Sequence, residues 1–155
     1  MAVGTVSGIA PEDNWQLIET TTISSGTASY TYSSLSGYKT ILIAGKNIVK
    51  SGANYSVLRV NGDTAAGAYA QNSQGGGSSW FYVTGATSST HGLAVVIYNI
   101  NQSVPHRMDA NYGGGGGSEE NCYYTNPVPV TSLQLRLDSS ATFTSGTIYV
   151  YGIPA

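Results

Sequence analysis

The chain has 155 residues, a net charge of −2 and 41% hydrophobic residues, but only 9% charged residues. This length fits one domain that can bury enough surface to fold without disulfides or metal. The scarcity of charge excludes the Glu- and Lys-rich surfaces typical of helical proteins, and twelve tyrosines exclude a disordered chain. The sequence therefore predicts one folded domain that is not built from helices.

Several classes of partner are excluded by the same composition. No basic stripe is present for binding nucleic acid. No stretch approaches the roughly 20 apolar residues needed for membrane insertion, and the first ten residues lack the pattern of a signal peptide. Lys39, Lys46 and Lys50 are expected to be solvated surface lysines. The single cysteine, Cys122, is predicted to be a small buried residue that stays reduced after synthesis in a cytoplasm.

In chain order, residues 1–11 are small and turn-rich, which predicts an N-terminal arm, and residues 12–155 form the domain. Strands are predicted over residues 15–23, 27–32 and 38–44, the last being nearly continuously apolar. Another strand, residues 54–60, ends at Asn61 and Gly62, the strongest short signal for a hairpin turn. Residues 63–79 are predicted to form a long flexible loop.

The second half continues the pattern. Strands are predicted over residues 80–84, 92–100, 131–137 and 146–152, with a weaker strand at residues 106–112 that is placed at an edge. The glycines at 113–117 are predicted to open a second mobile loop. About eight to ten short strands with turns between them indicate an all-β, antiparallel, jelly-roll-like sandwich. Its predicted core includes the following residues: Ile41, Ile43, Val95, Ile97, Leu133, Leu135, Leu137 and Ile148.

The residues capable of catalysis are few and scattered. Glu119 and Glu120 are adjacent, and neighbouring residues of an extended chain point to opposite sides, so a solvated loop tip is favoured over a pair of catalytic carboxylates. His91 is placed in a turn, and His106 has no recognisable partner in the sequence. No clustered ligands indicate a metal, so the sequence predicts no enzyme, no metal and no cofactor.

Aromatic residues beside the two glycine-rich loops are the better candidates for contact with a ligand. Tyrosine offers a large contact area at low entropic cost. These aromatic residues can stack on sugar rings or anchor a protein partner, and the sequence leaves both roles open. The alternative is that they line the core. The candidates are Trp80, Tyr82, Tyr112, Tyr123 and Tyr124.

Three segments carry a resemblance to a known group of proteins. They are Leu35-Ser-Gly-Tyr-Lys39 with the apolar strand after it, Leu58-Arg-Val-Asn-Gly-Asp63, and residues 131–137 with 143–153. Together they resemble domains of bacteriophage virion proteins found on tail-fibre tips and on capsid-surface decoration proteins. The resemblance implies a jelly-roll-like sandwich, commonly trimeric, that binds a capsid lattice or a host surface.

The short arm and the lack of a coiled coil or shaft repeat favour a capsid decoration protein at the virion surface, made in the host cytoplasm. We expect a homotrimer in which Val3, Val6 and Ile9 of the arm contact a phage capsid or tail protein. The alternatives are a tail-fibre tip or adhesin that binds a host surface glycan or protein, and thirdly a polysaccharide-active enzyme.

Overall fold

The computed structural model describes residues 14–71, 77–86, 88–113 and 118–155, and these form two packed antiparallel sheets. The all-β sandwich predicted from the sequence is confirmed. Within the described ranges there is no helix at all, so no helix is long and apolar enough to cross a membrane. The strands are β1 (Gln16–Thr22), β2 (Ser29–Tyr32), β3 (Tyr38–Lys50), β4 (Ser56–Val60), β5 (Tyr69–Gln71), β6 (Gly77–Ser78), β7 (Phe81–Tyr82), β8 (His91–Tyr98), β9 (His106–Gly113), β10 (Ser118–Tyr124), β11 (Leu133–Leu137) and β12 (Phe143–Pro154).

The strand order is that of a jelly roll with an extension. One half of the sandwich runs β1-β12-β3-β8, and the facing sheet runs β2-β11-β4-β7. Successive strands β1 to β4 therefore alternate between the two sheets, as do β7, β8, β11 and β12, which gives two facing layers of four. The remaining strands β9, β10, β5 and β6 follow β8 and lengthen the first sheet to eight strands.

The core lies between the two sheets, and all eight residues predicted for it are buried. Strand alternation explains the pattern: in β11 the leucines at 133, 135 and 137 face inward, while Gln134 and Arg136 face outward. Cys122 is buried and free, as predicted. Burial raises the pKa of its thiol to about 12, so the thiol stays protonated at neutral pH.

Strand β3 is six residues longer than the sequence indicated. The pairing with β8 shifts register between Gly45 and Ile48, and a β-bulge of this kind re-aims the side chains that follow it. Opposite the bulge, Gly146 has φ +128, and a Cβ there would lie 2.9 Å from the Asn47 carbonyl oxygen. Glycine is thus needed at 146, and the bulge turns Ile48 and Lys50 into the interior.

Lys50 is buried, so its assignment to the solvated surface was wrong. Its Nζ donates to the Asn54 carbonyl, to Thr84 Oγ1 at 3.1 Å and to the Gly85 carbonyl at 3.1 Å. The three protons of the ammonium group match three acceptors. Burial lowers the pKa of Lys50 to about 8, although the negative charge of Asp138 acts to raise it. The side chain therefore ties the β3–β4 loop to the chain after β7.

The turn at Asn61 and Gly62 forms as predicted, but it joins the two sheets instead of closing a hairpin. Both residues have positive φ, 52° and 68°. The Asn61 side chain accepts from the backbone N–H groups of Thr131 and Ser132 at 2.7 and 3.1 Å. These bonds hold the turn against the segment before β11, and the chain passes from β4 in one sheet to β5 in the other.

Candidate binding surfaces

The sequence-predicted contact residues are distributed over three separate places. Tyr124 is fully buried, with its ring centroid 5.3 Å from that of Tyr69 in a tilted arrangement, and it donates to Asp63 Oδ2 at 2.9 Å. It is a core residue and is not available at the surface. Tyr112 packs half-buried against the edge of the core. Tyr123 is 52% exposed on the outer face of β10.

Trp80 and Tyr82 belong to an aromatic cluster on the outer face of the small sheet. Tyr82 makes an edge contact with Tyr55 at 5.0 Å between ring centroids, and the Arg59 guanidinium lies 5.4 Å from the centre of the Trp80 ring. The buried Gln71 side chain holds the segment in place by donating to the Trp80 carbonyl and accepting from the Tyr82 N–H. A cationic and aromatic surface of this kind is suited to stacking.

The predicted arm residues Val3, Val6 and Ile9 lie outside the described residues, as do most of the two glycine-rich loops. The described chain starts at Asn14 and enters β1, an edge strand of the large sheet. Trp15 and Leu17 are exposed there. Two exposed apolar side chains therefore lie at the start of the described chain.

The catalytic candidates are not brought together. Glu119 and Glu120 lie in strand β10, not at a loop tip, and they pair with Asn111 and Ala110, so they face opposite sides of the sheet. His106 is buried, with Nε2 2.7 Å from the Val128 carbonyl. His91 begins β8 instead of lying in a turn, and burial lowers its pKa. In the described part of the chain no three His, Cys, Asp or Glu side chains are grouped so as to hold a metal ion.

One feature of the surface was not anticipated from the sequence. On the outer face of the large sheet, paired residues form rows that cross it. One row runs from Leu17 through Tyr151, Leu42 and Val96 to Asp109. This row and the next one, through Ala44, are apolar or neutral on β1, β12 and β3, and become charged or amide-bearing on β9 and β10.

We call the apolar part of this face the apolar tract. The stacked rings of Tyr149 and Tyr151, 6.4 Å apart, lie at its centre. A signal for it was present in the sequence, because β3 and β8 are apolar at consecutive positions, a pattern typical of strands covered on both faces. The small sheet covers only one face. The apolar tract consists of Leu17, Leu42, Ala44, Tyr149, Tyr151 and Ile153.

A polar cavity of about 300 Å³ lies beside the apolar tract, where β8 meets β9 and β10. The Arg107 Nε donates to Asp109 Oδ1 at 3.0 Å, and this contact raises the pKa of Arg107. The same guanidinium lies 5.9 Å from the centre of the Tyr98 ring. The lining residues are Ala94, Val96, Arg107, Asp109, Ala110, Asn111, Glu119, Glu120 and Asn121.

No protein-family model matches this chain, and no curated protein matches it.

Proposed function

We propose that this chain is a non-enzymatic structural protein of the bacteriophage particle surface, a capsid decoration protein that assembles as a homotrimer through the apolar tract. The observation that carries the proposal is the uncovered second face of β3 and β8. Ile41 and Ile43 face the core, while Leu42 and Ala44 of the same strand face outward. Strands of this composition are normally covered on both sides.

The size of the apolar tract suits the centre of an interface between proteins. Three strands spaced about 4.8 Å apart and five residues long give a face of about 14 by 17 Å. Exposed apolar patches of a few hundred Å² mark interaction sites. A stable interface needs about 800 Å² on each partner, so the polar side chains of β9 and β10 supply the remaining area as a rim.

A second copy of the same chain is the partner that the charges favour. The apolar tract carries no charge, and the whole chain has a net charge of only −2, so copies repel each other weakly. The rim bears both signs, Arg107 and the carboxylates of Asp109 and Glu119. A homotrimer brings three apolar tracts around one axis and removes them from water, which is the main driving force of association.

Attachment to the particle is assigned to the arm. The arm spans residues 1–11 of the sequence. Val3, Val6 and Ile9 are the larger apolar side chains among them. The exposed Trp15 and Leu17 at the base of the arm extend the same apolar character onto the domain.

Deleting residues 2–10 is expected to abolish or strongly weaken co-sedimentation with phage particles, while the melting temperature of the domain stays unchanged. In this proposal Val3, Val6 and Ile9 of the arm contact the particle, so only attachment should suffer. Trp80→Ala is the comparison variant, because its side chain lies on the outer face of the small sheet. Full attachment of the truncated protein would contradict the assignment of the arm.

A tail-fibre tip or adhesin is the second candidate, and the aromatic cluster of Tyr55, Trp80 and Tyr82 favours it. Tyrosine and tryptophan faces are suited to contact with host surface glycans or proteins. The same variants separate the two functions. If Trp80→Ala blocks adsorption to host cells while removal of the arm leaves particle attachment intact, the adhesin replaces the decoration protein.

A further inference from the structure

The polar cavity between β8, β9 and β10 has the construction of a small-ligand site. Its volume, about 300 Å³, is at the lower end of the range for pockets that enclose small ligands. Ala94 and Val96 form an apolar floor, because their side chains are short and lie on the outer face of β8. The longer polar side chains of β9 and β10 stand around this floor.

The walls present planar hydrogen-bonding groups. Asn111 and Asn121 each offer an amide with donors and an acceptor. Asp109 is next to both of them, since it pairs with Asn121 on β10 and lies two residues before Asn111 on β9. The Arg107 Nε donates to Asp109 Oδ1, so a guanidinium and a carboxylate stand side by side in the same wall.

The chemistry of this lining selects a class of ligand. Adjacent hydroxyl groups on a ring can donate to carboxylate oxygens and accept from amide N–H groups at the same time, and the C–H face of the ring suits an apolar floor. The side chains on this face include two carboxylates, Asp109 and Glu119, against the one guanidinium of Arg107. This excess of negative charge disfavours anionic ligands.

We infer that the polar cavity binds one ring of a neutral sugar. The site includes no residue of the apolar tract or of the arm. It lies in the polar rim on β8, β9 and β10, and the rim is the solvent-accessible part of an interface. The protein would then carry a glycan-binding site whatever particle or partner it attaches to.

The test uses saturation-transfer NMR and chemical-shift mapping of the full chain with neutral monosaccharides: glucose, galactose, mannose, fucose, N-acetylglucosamine and N-acetylgalactosamine. Sialic acid serves as the anionic probe. We expect millimolar binding of at least one neutral sugar, with shifted amide signals at residues 94, 96, 109 and 121. Absence of binding by all of them, or a preference for sialic acid, would overturn the inference.

Two variants tie binding to the cavity. Asn121→Ala removes a wall amide and Ala94→Leu fills the floor, and each is expected to weaken binding at least tenfold. Gln134→Ala is the matched control, since it removes an amide from the outer face of the small sheet. Unchanged binding in both cavity variants would refute the site. Molecular mass measured on the same samples reports assembly separately, so failure of the sugar site is distinguishable from failure of the trimer.

Discussion

Replacing Lys50 by methionine is expected to lower the free energy of unfolding by about 3 kcal/mol, because buried acceptors that lose their partners cost about 1–3 kcal/mol and more next to charge. The Nζ group serves the carbonyls of Asn54 and Gly85 and the hydroxyl of Thr84. Thr84 Oγ1 also accepts from the Ser56 N–H at 3.0 Å. Loss of the ammonium group therefore loosens the loops at both ends of this network.

Lys46→Met is the matched control, because Lys46 lies on the same strand but is exposed. The measurement is urea unfolding followed by tryptophan fluorescence. We expect a clear fall in the midpoint for Lys50→Met and little change for Lys46→Met. Equal midpoints for the two variants would show that the three hydrogen bonds add nothing to stability.

The second large effect is alkaline unfolding between about pH 10 and pH 12. Burial raises the pKa of Tyr32 and of Tyr124 to about 12, and it also raises the pKa of Tyr69. These folded-state values lie above the unfolded value near 10, so the unfolded chain releases protons first. Stability is then complete below pH 10 and is lost as pH rises through the folded-state values.

A tyrosine that is protonated in the folded state and deprotonated in the unfolded state lowers the free energy of unfolding by about 1.4 kcal/mol per pH unit. Three such tyrosines together lower it by about 4 kcal/mol per unit. A domain is typically stable by about 5–15 kcal/mol, so a rise of about one to four pH units suffices to unfold it. Cys122 adds to the loss from pH 9 upward, since its folded pKa is raised to about 12. Lys50 acts in the opposite direction, because its lowered pKa of about 8 makes stability rise between pH 8 and 10.5.

Circular dichroism and denaturant titrations at stepped pH measure this slope. Tyr32→Phe removes one of the three buried hydroxyls. The free energy of unfolding is therefore expected to decline less steeply above pH 10, by about 1.4 kcal/mol per pH unit. Tyr123→Phe removes an exposed hydroxyl and is the comparison, expected to unfold at the same pH as the unaltered chain. A stability that stays flat from pH 9 to pH 12 would contradict the burial of these groups.

The fold was predictable from the sequence where one sheet face is apolar and the other polar. The alternation of Leu133, Leu135 and Leu137 fixes the inward face of β11, and the apolar runs gave β3 and β8. Strand β10 was missed because its inward positions include only Cys122 and Tyr124 as apolar side chains, so the period of two is weak. As a result β9, predicted at an edge, instead lies between β8 and β10.

The local sequence pattern does not predict the burial of Lys50. For the apolar tract, the pattern gives consecutive apolar positions but does not say which of them lie inside the domain. The side of the sheet that Lys50 faces depends on the bulge at Gly45–Ile48, and bulges are set by pairing with a distant strand. The continuous apolar run of residues 38–44 was interpreted as a buried strand. That interpretation is correct for Ile41 and Ile43, but it did not distinguish burial within the domain from an outer face available to a second chain.

The most direct test of the proposed assembly is the molecular mass of the full chain and of Leu42→Glu, measured by sedimentation velocity at micromolar concentration. Leu42 belongs to the apolar tract beside Tyr151 and lies outside the core, so a carboxylate there should block association while the domain stays folded. Gln134→Glu places the same charge on the small sheet as a control. We expect a trimer for the unaltered chain and for Gln134→Glu, and a folded monomer for Leu42→Glu. A monomeric unaltered chain, or a Leu42→Glu variant that remains a trimer, would contradict assembly through the apolar tract.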